Sequence, residues 1–490
     1  MPAKKTRTTR TGRLAQLGGL AGEQAARQLG TRAANAVRTD KVAHAALETR
    51  NLEMANRMVR VLGSMRGAAM KVGQMLSLFD AGFIPATHRE EFQARLAALH
   101  DSAPKLPWAE MAELVEAELG MPIRVAFRRF DTTPVAAASI GQVYRAVMHD
   151  GREVAVKVQY PGIDSMVRSD MKNLSFLLKL YGKAVFASLD VPNLADELES
   201  RITEELDYER EATNTTRVAS ALRDHPFIVI PDVVHERSSR RVLTTDWIDG
   251  QPLRSVFNAT LSTRNRVAES VFRFYAGTPY ELGVFSGDPH PGNALVLADG
   301  RVAFLDFGLV KEFSPETAEG ELTTMRSAIE GDGERLVEVM HERGFVPDPQ
   351  TIDRHDALDA LMEYGWWYLL DQEVEFTPAV ASEIIAAFVN PTNRFGRLLL
   401  QQNIPGPHAI RIRAELQLVA ILGQIQPKLN LHRVAREWIY GEPPVGELGT
   451  QHHQWAAPAR AAGGSPTQSK VSRPEGPASR RQHGPRRHRQ

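Results

Sequence analysis

The chain has 490 residues, and its 59 Lys and Arg balance 59 Asp and Glu, so no whole-protein field for nucleic acid is indicated. An apolar content of 43% with 24% charged residues is ordinary for a soluble globular chain with room for two or three domains. Cysteine is absent, which excludes disulfides, thiolate nucleophiles and Cys-based zinc sites together. No apolar run of about 18 residues predicts a spanning helix, and no apolar h-region near Met1 predicts secretion.

Lys4, Lys5, Arg7, Arg10 and Arg13 precede the first acid, Glu23, and residues 1–40 are expected to form a basic, partly disordered segment. Leu14, Leu17, Leu20 and Ala21 recur at helical spacing there, a pattern that can lie on a membrane surface. Residues 41–124 predict a helical N-terminal region. Met58, Leu62, Met65, Ala69, Val72 and Leu76 form its apolar stripe, beside which Lys71 and Gln74 share a face. A further helix over Trp108 to Leu119 should stop at Gly120, with Pro122 beyond.

Strand patterns follow over Val125 to Phe130, Val135 to Ala146 and Arg152 to Val158, with Asp150-Gly151 as a hairpin turn. Val154-Ala155-Val156-Lys157 sets a lysine among apolar β-formers, so its ammonium sits beside a cleft rather than in open water. Ahead of it, Ala136, Ala137, Ala138 and Ser139 stand where a glycine-rich phosphate loop would be, and alanine restricts that loop. Helical patterns over about Met166 to Phe186 and Asn193 to Leu222 follow, the second densely acidic at Glu204, Glu205, Asp207, Glu209 and Glu211. Val242 to Thr245 reads as a strand leaving into a hinge, whose backbone around Asp246 to Ile248 is expected to meet adenine. The remainder to about Tyr440 should be mostly helical, and residues 441–490, rich in Pro and Arg, a disordered basic tail that favours anionic lipid.

Asp288-Pro289-His290-Pro291-Gly292-Asn293, followed by Asp306-Phe307-Gly308, has the order and spacing of a kinase catalytic loop and its metal-binding Asp-Phe-Gly. Phosphoryl transfer needs a carboxylate near the attacking oxygen and oxygen ligands that hold Mg²⁺ against the ATP phosphates. Asp288, Asn293 and Asp306 supply both.

Taken with Lys71-Val72-Gly73-Gln74, the alanine loop and Glu205-Leu206-Asp207, these motifs resemble the UbiB/AarF family of atypical kinase-like proteins, which includes the eukaryotic ADCK proteins; the resemblance spans about residues 45–320. It implies an α+β, bilobal protein-kinase-like fold with a helical N-terminal extension packed over the active-site cleft. The division expected is an N-lobe over residues 125–250 with inserted helices and a helical C-lobe over 251–440. Lys71 and Gln74 would belong to the extension and meet Glu205 and Asp207. Glu211 would pair with Lys157, with Glu204, Glu205 and Glu209 as alternatives. Asn293 and Asp306 would hold Mg²⁺, and Asp288 would take the catalytic position. ATP and Mg²⁺ are the cofactors implied, and the function implied is an atypical kinase or ATPase supporting isoprenoid-quinone lipid metabolism. The expected partner is a small or lipid-related molecule, at a cytoplasmic location peripheral to the inner face of the membrane.

Two alternatives remain: a small-molecule phosphotransferase of the aminoglycoside or choline kinase type, and a nucleotide-gated pseudokinase scaffold. Departures from the common kinase pattern bear on both. Ser286-Gly287 replaces the His-Arg that usually precedes the catalytic aspartate, and Ser314-Pro315-Glu316 follows Asp306 too closely for an extended peptide-docking segment.

Overall fold

The computed structural model of the chain describes residues 106–138, 140–168, 206–389 and 406–461. Helix α1 (Trp108–Leu119) ends where Gly120 takes a left-handed φ of 66°. The strand expected from Val125 is then cut back. Pro122 opens a single helical turn, α2 (Ile123–Ala126), whose Val125 and Ala126 N–H groups donate to the Pro122 carbonyl. Only Arg129–Phe130 (β1) remains to pair, against Ala146 and Val147.

The N-terminal sheet is antiparallel, in the order β1-β3-β4-β6 with β2 on β3; the strands are β2 (Ala136–Ala138), β3 (Gly141–Val147), β4 (Glu153–Gln159) and β6 (Val242–Asp246). The expected hairpin forms at Asp150-Gly151, where Gly151 has φ 93° and the Asp150 carboxylate accepts from Arg152 N–H at 2.9 Å. Period-two alternation then decides the faces of β4. Val154, Val156 and Val158 are fully buried against Tyr144, Met111 and Tyr208, so Lys157 points to the opposite face. Helix α3 (Tyr208–Ala221) crosses that sheet, started by Asp207, whose side chain accepts from the N–H groups of Glu209 and Arg210 at 3.1 Å each.

The larger C-terminal part combines a small sheet, β5 (Ile228–Val229)-β10 (Val302–Phe304)-β9 (Ala294–Val296)-β7 (Gln251–Pro252), with the ribbon of β8 (Val284–Ser286) and β11 (Val310–Glu312). Around them pack α4 (Leu261–Phe272), α5 (Thr278–Leu282), α6 (Pro315–Glu330), α7 (Gly333–Glu342), α8 (Arg354–Leu369), α9 (Pro378–Val389), α10 (Gly406–Ile425) and α11 (Leu431–Ile439). One apolar core runs through the helices and onto the small sheet, with Phe274 stacked on Phe304 at 3.7 Å between centroids. Among the described residues no helix is long and apolar enough to cross a membrane.

The tail expected to be disordered from residue 441 begins instead with a helix, α12 (Gly446–Ala461). Its composition is polar, but three side chains anchor it. Trp455 Nε1 donates to the Arg223 carbonyl at 3.0 Å, Leu448 is buried, and His452 bridges Glu281 (2.8 Å) and His225 (3.0 Å). His225 Nδ1 accepts the N–H groups of Phe227 and Ile228, so the ring is useful only while neutral. Burial, with His452 and Arg273 adding repulsion, lowers its pKa from 6.5 to about 2.

The unfolded chain therefore takes up a proton below pH 6.5 that the fold refuses, and stability falls as pH drops through that value. The expected slope is about 1.4 kcal/mol per pH unit. Chemical denaturation at pH 6.5 and at about pH 5 should give a difference roughly 2 kcal/mol larger for the native chain than for His225→Gln. Equal slopes would remove His225 as the cause.

Candidate active site

Sequence-predicted residues from three separate elements meet at Lys157. Lys157 Nζ, from β4, donates to Glu211 Oε1 at 2.8 Å and Oε2 at 2.9 Å, and lies 3.4 Å from Asp306 Oδ2. The Glu211 side chain is only 3% exposed and that of Lys157 20%. Glu211 is thereby the lysine's partner; Glu209 sits on the exposed side of α3, and Glu204 and Glu205 lie outside the described residues. Burial alone would lower the Lys157 pKa, but Asp306 and Glu211 outweigh it and hold the ammonium protonated well above the usual lysine range. The ring of Tyr208, 4.9 Å from Nζ, gives the cation a π face as well.

Asp306 is fixed from its own loop. Its Oδ1 accepts the Gly308 N–H at 3.0 Å, and Phe307 is buried with its carbonyl taken by Asn214 Nδ2 at 2.9 Å. That last bond ties the Asp-Phe-Gly turn to the helix that carries Glu211. Asn293 closes the short 3₁₀ turn Pro291–Asn293, and its carbonyl accepts Leu305 N–H at 2.9 Å, so the Asn293 and Asp306 backbones are neighbours. His290 Nδ1 accepts Gly292 N–H at 3.0 Å within the same turn. Asn293 and Asp306 present hard oxygen donors, the set that suits Mg²⁺ held jointly with phosphate.

Asp288 has its orientation set by residues that the sequence pattern did not single out. Its Oδ1 accepts from Arg413 Nη2 at 2.7 Å and from Gln417 Nε2 at 3.3 Å, both on α10. The reason for Gly287 lies in the same contact: a Cβ there would stand 2.8 Å from Ile410 Cγ2, also on α10, and 3.1 Å from Leu309. An arginine cannot precede Asp288 while α10 sits this close, and the helix supplies one from the other end of the C-terminal part. Among the residues of α10, only the side-chain contacts distinguish Arg413; no local motif marks it.

Ala136, Ala137 and Ala138 form the outer strand of a hairpin, in register with Val143, Gln142 and Gly141, and Ser139 lies outside the described residues. Gly141 anchors that hairpin, because a Cβ there would meet the Val158 carbonyl oxygen at 2.2 Å. In the hinge two backbone donors are already committed. Asp246 pairs with Arg152 at 3.4 Å, its N–H donates to Asp232, and Trp247 N–H donates to Glu153, so β6 pairing has already used those donors. Ile248 lies just beyond the strand end and is partly exposed. Asp207 serves as the cap of α3, while Lys71, Gln74 and Glu205 lie outside the described residues.

Removing one partner of a buried pair strands the other charge. Glu211→Ala should therefore lower folding stability by about 3 kcal/mol, and Lys157→Met with Glu211→Leu should recover most of that loss. Chemical denaturation of the three chains measures it; a single variant no less stable than the native chain would contradict a buried pair.

The chain is similar to known proteins. The profile of the ABC1 atypical kinase-like domain matches residues 98–340. The chain is 33% identical over 316 residues to the atypical kinase COQ8B, mitochondrial, of Rattus norvegicus, covering 64% of this chain and 58% of that one. It is 30% identical to the protein slr0889 of Synechocystis, covering 58% of this chain and 72% of that one. A solved structure of Rv3197 from Mycobacterium tuberculosis, in complex with erythromycin, is 32% identical with a TM-score of 0.59, covering 82% of this chain and all of that one. The α+β architecture is thus kinase-like. The chain spans 58% and 62% of the length of the rat and zebrafish COQ8B proteins.

Proposed function

The chain belongs to the UbiB/ADCK family of ABC1 atypical kinase-like proteins, and we propose that it binds MgATP between Lys157 and Asp306 and hydrolyses it or passes its terminal phosphoryl group to a small, lipid-related acceptor. The observation that carries this reading is the 2.8 Å pair of Lys157 with Glu211, placed 3.4 Å from Asp306. Glu211 aims the ammonium, and the ammonium would take the α- and β-phosphates. Asp306 and Asn293 would hold Mg²⁺, which when bound offsets the charge developing on the transferred group. Asp288, its carboxylate plane set by Arg413 and Gln417, would receive the attacking hydroxyl or water. Adenine would sit against the backbone at Ile248, and the Ala136–Ala138 hairpin would cover the phosphates more stiffly than glycine does.

Family resemblance extends the proposal to isoprenoid-quinone lipid metabolism, with the basic ends bringing the protein to an anionic membrane surface. On the same ground the segment carrying Lys71 and Gln74, from residues 41–124, would fold over the cleft toward Glu205 and Asp207. The erythromycin complex of the mycobacterial relative supports a second reading, a site that receives bulky apolar small molecules.

Asp306→Asn should abolish the Mg²⁺-dependent thermal stabilisation by ATP that the native chain shows, followed by differential scanning fluorimetry. Stabilisation unchanged in that variant would count against the metal site. Turnover of ATP, measured with and without anionic liposomes and quinone-precursor analogues, should rise with these additions; indifference to all of them removes the lipid assignment and leaves the ATP site standing.

Because Arg413 acts through Asp288 and not on the nucleotide, Arg413→Met should lower kcat by about 100-fold with KM for ATP little changed. Arg413→Lys should restore part of it. A rise in KM at constant kcat would place Arg413 in nucleotide binding instead.

A further inference from the structure

Between Asp288 and Asn293 stands one more polar side chain, His290, partly buried next to a buried Pro289. Asp288 and His290 each precede a proline, which holds the residue before it extended. His290 accordingly has φ −142° and ψ 138°. Alternate side chains along an extended stretch share a side. His290 therefore projects on the side of the loop that carries the Asp288 carboxylate, opposite the buried proline.

The ring is held by its own turn. His290 caps the 3₁₀ turn Pro291–Asn293, where its Nδ1 accepts Gly292 N–H at 3.0 Å. A ring nitrogen that accepts carries no proton, so the proton sits on Nε2. Gly292 makes room for this ring, because a Cβ there would stand 2.9 Å from Nδ1. The turn is also stitched to the Asp306 loop: Asn293 N–H donates to the His290 carbonyl at 3.0 Å, and the Asn293 carbonyl accepts Leu305 N–H at 2.9 Å. Capping alone does not call for histidine. Asn, Asp and Ser are the preferred caps and supply the same acceptor on a shorter side chain. What the imidazole adds is a second nitrogen, a donor whose orientation the cap fixes.

We propose that His290 is a further phosphate-binding residue, its Nε2–H donating to the terminal phosphoryl group of the nucleotide. This role rests on MgATP lying between Lys157 and Asp306 as proposed above. Lys157 would take the α- and β-phosphates, whereas a donor between Asp288 and Asn293 meets the group that is transferred. An uncharged N–H there also leaves Mg²⁺ unopposed at Asn293, where an ammonium would repel it.

The test is calorimetric titration of the full chain with Mg²⁺ and either ADP or the β,γ-imido analogue of ATP. The native protein, His290→Asn and His290→Gln are compared. Asparagine keeps an acceptor where Nδ1 stands and lacks the distal donor, while glutamine places an amide N–H near Nε2 and gives up the cap. His290→Asn should bind ADP as the native chain does and the imido analogue at least about tenfold more weakly, the loss of one charge-assisted hydrogen bond. ATP turnover should fall by about 100-fold in the same variant. His290→Gln should recover much of both. Native-like binding of both nucleotides by His290→Asn, or equal weakening for both, would overturn the proposal. Should the asparagine variant not fold, His290→Ser, another capping side chain, gives the same comparison. A native chain that binds neither nucleotide removes the ATP reading itself and this role with it, so the two failures are told apart.

Discussion

A lysine ammonium withdrawn from water costs several kcal/mol unless carboxylates close on it, and in this protein two do so from different parts of the chain. Glu211 comes from a helix 54 residues beyond Lys157, and Asp306 from a loop 149 residues beyond it. Neither β4 nor α3 could hold that charge alone. The N-terminal sheet, the crossing helix and the Asp-Phe-Gly turn all meet at that neutralised charge. The bond from Asn214 to the Phe307 carbonyl tightens the same junction from its other side. A cation so placed is also preorganised for phosphate, because its geometry is settled before any ligand arrives.

The catalytic loop follows a different logic. Gly287 brings the loop against α10 closely enough that a side chain would collide with Ile410, and Arg413 and Gln417 then reach Asp288. Close backbone approach and long-range orientation are one arrangement: enlarging residue 287 would push away the helix that aims the aspartate. Positioning that protein kinases place beside the aspartate in sequence is here supplied from a helix, and the fold keeps the carboxylate fixed all the same.

Much of the site was legible in the amino-acid order because its parts are local. A strand with alternating valines declares which way Lys157 points, and the Asp288-to-Asn293 and Asp306-Phe307-Gly308 motifs each span only a few consecutive residues. Glu211 was favoured only through the resemblance, with Glu204, Glu205 and Glu209 left open, since the choice depends on where Asp207 caps α3 and hence on the helical phase. Arg413 was invisible, because nothing within α10 distinguishes an arginine that meets a carboxylate 125 residues earlier from one that meets solvent. The strand at Val125 failed because Pro122 favours a helix start over extended pairing. The tail failed because its polar composition concealed Leu448, His452 and Trp455, which find partners only in the folded core.

The dependence of Asp288 on α10 sets an order of events during synthesis. Lys157, Glu211, Asn293 and Asp306 all leave the ribosome well before Arg413, which follows Asp288 by 125 residues. A nascent chain can therefore assemble the lysine's carboxylate cage while its aspartate is still unsteadied by the late helix. Closure of the lysine's cage and the steadying of Asp288 are in this way drawn from segments made at different times along one polypeptide.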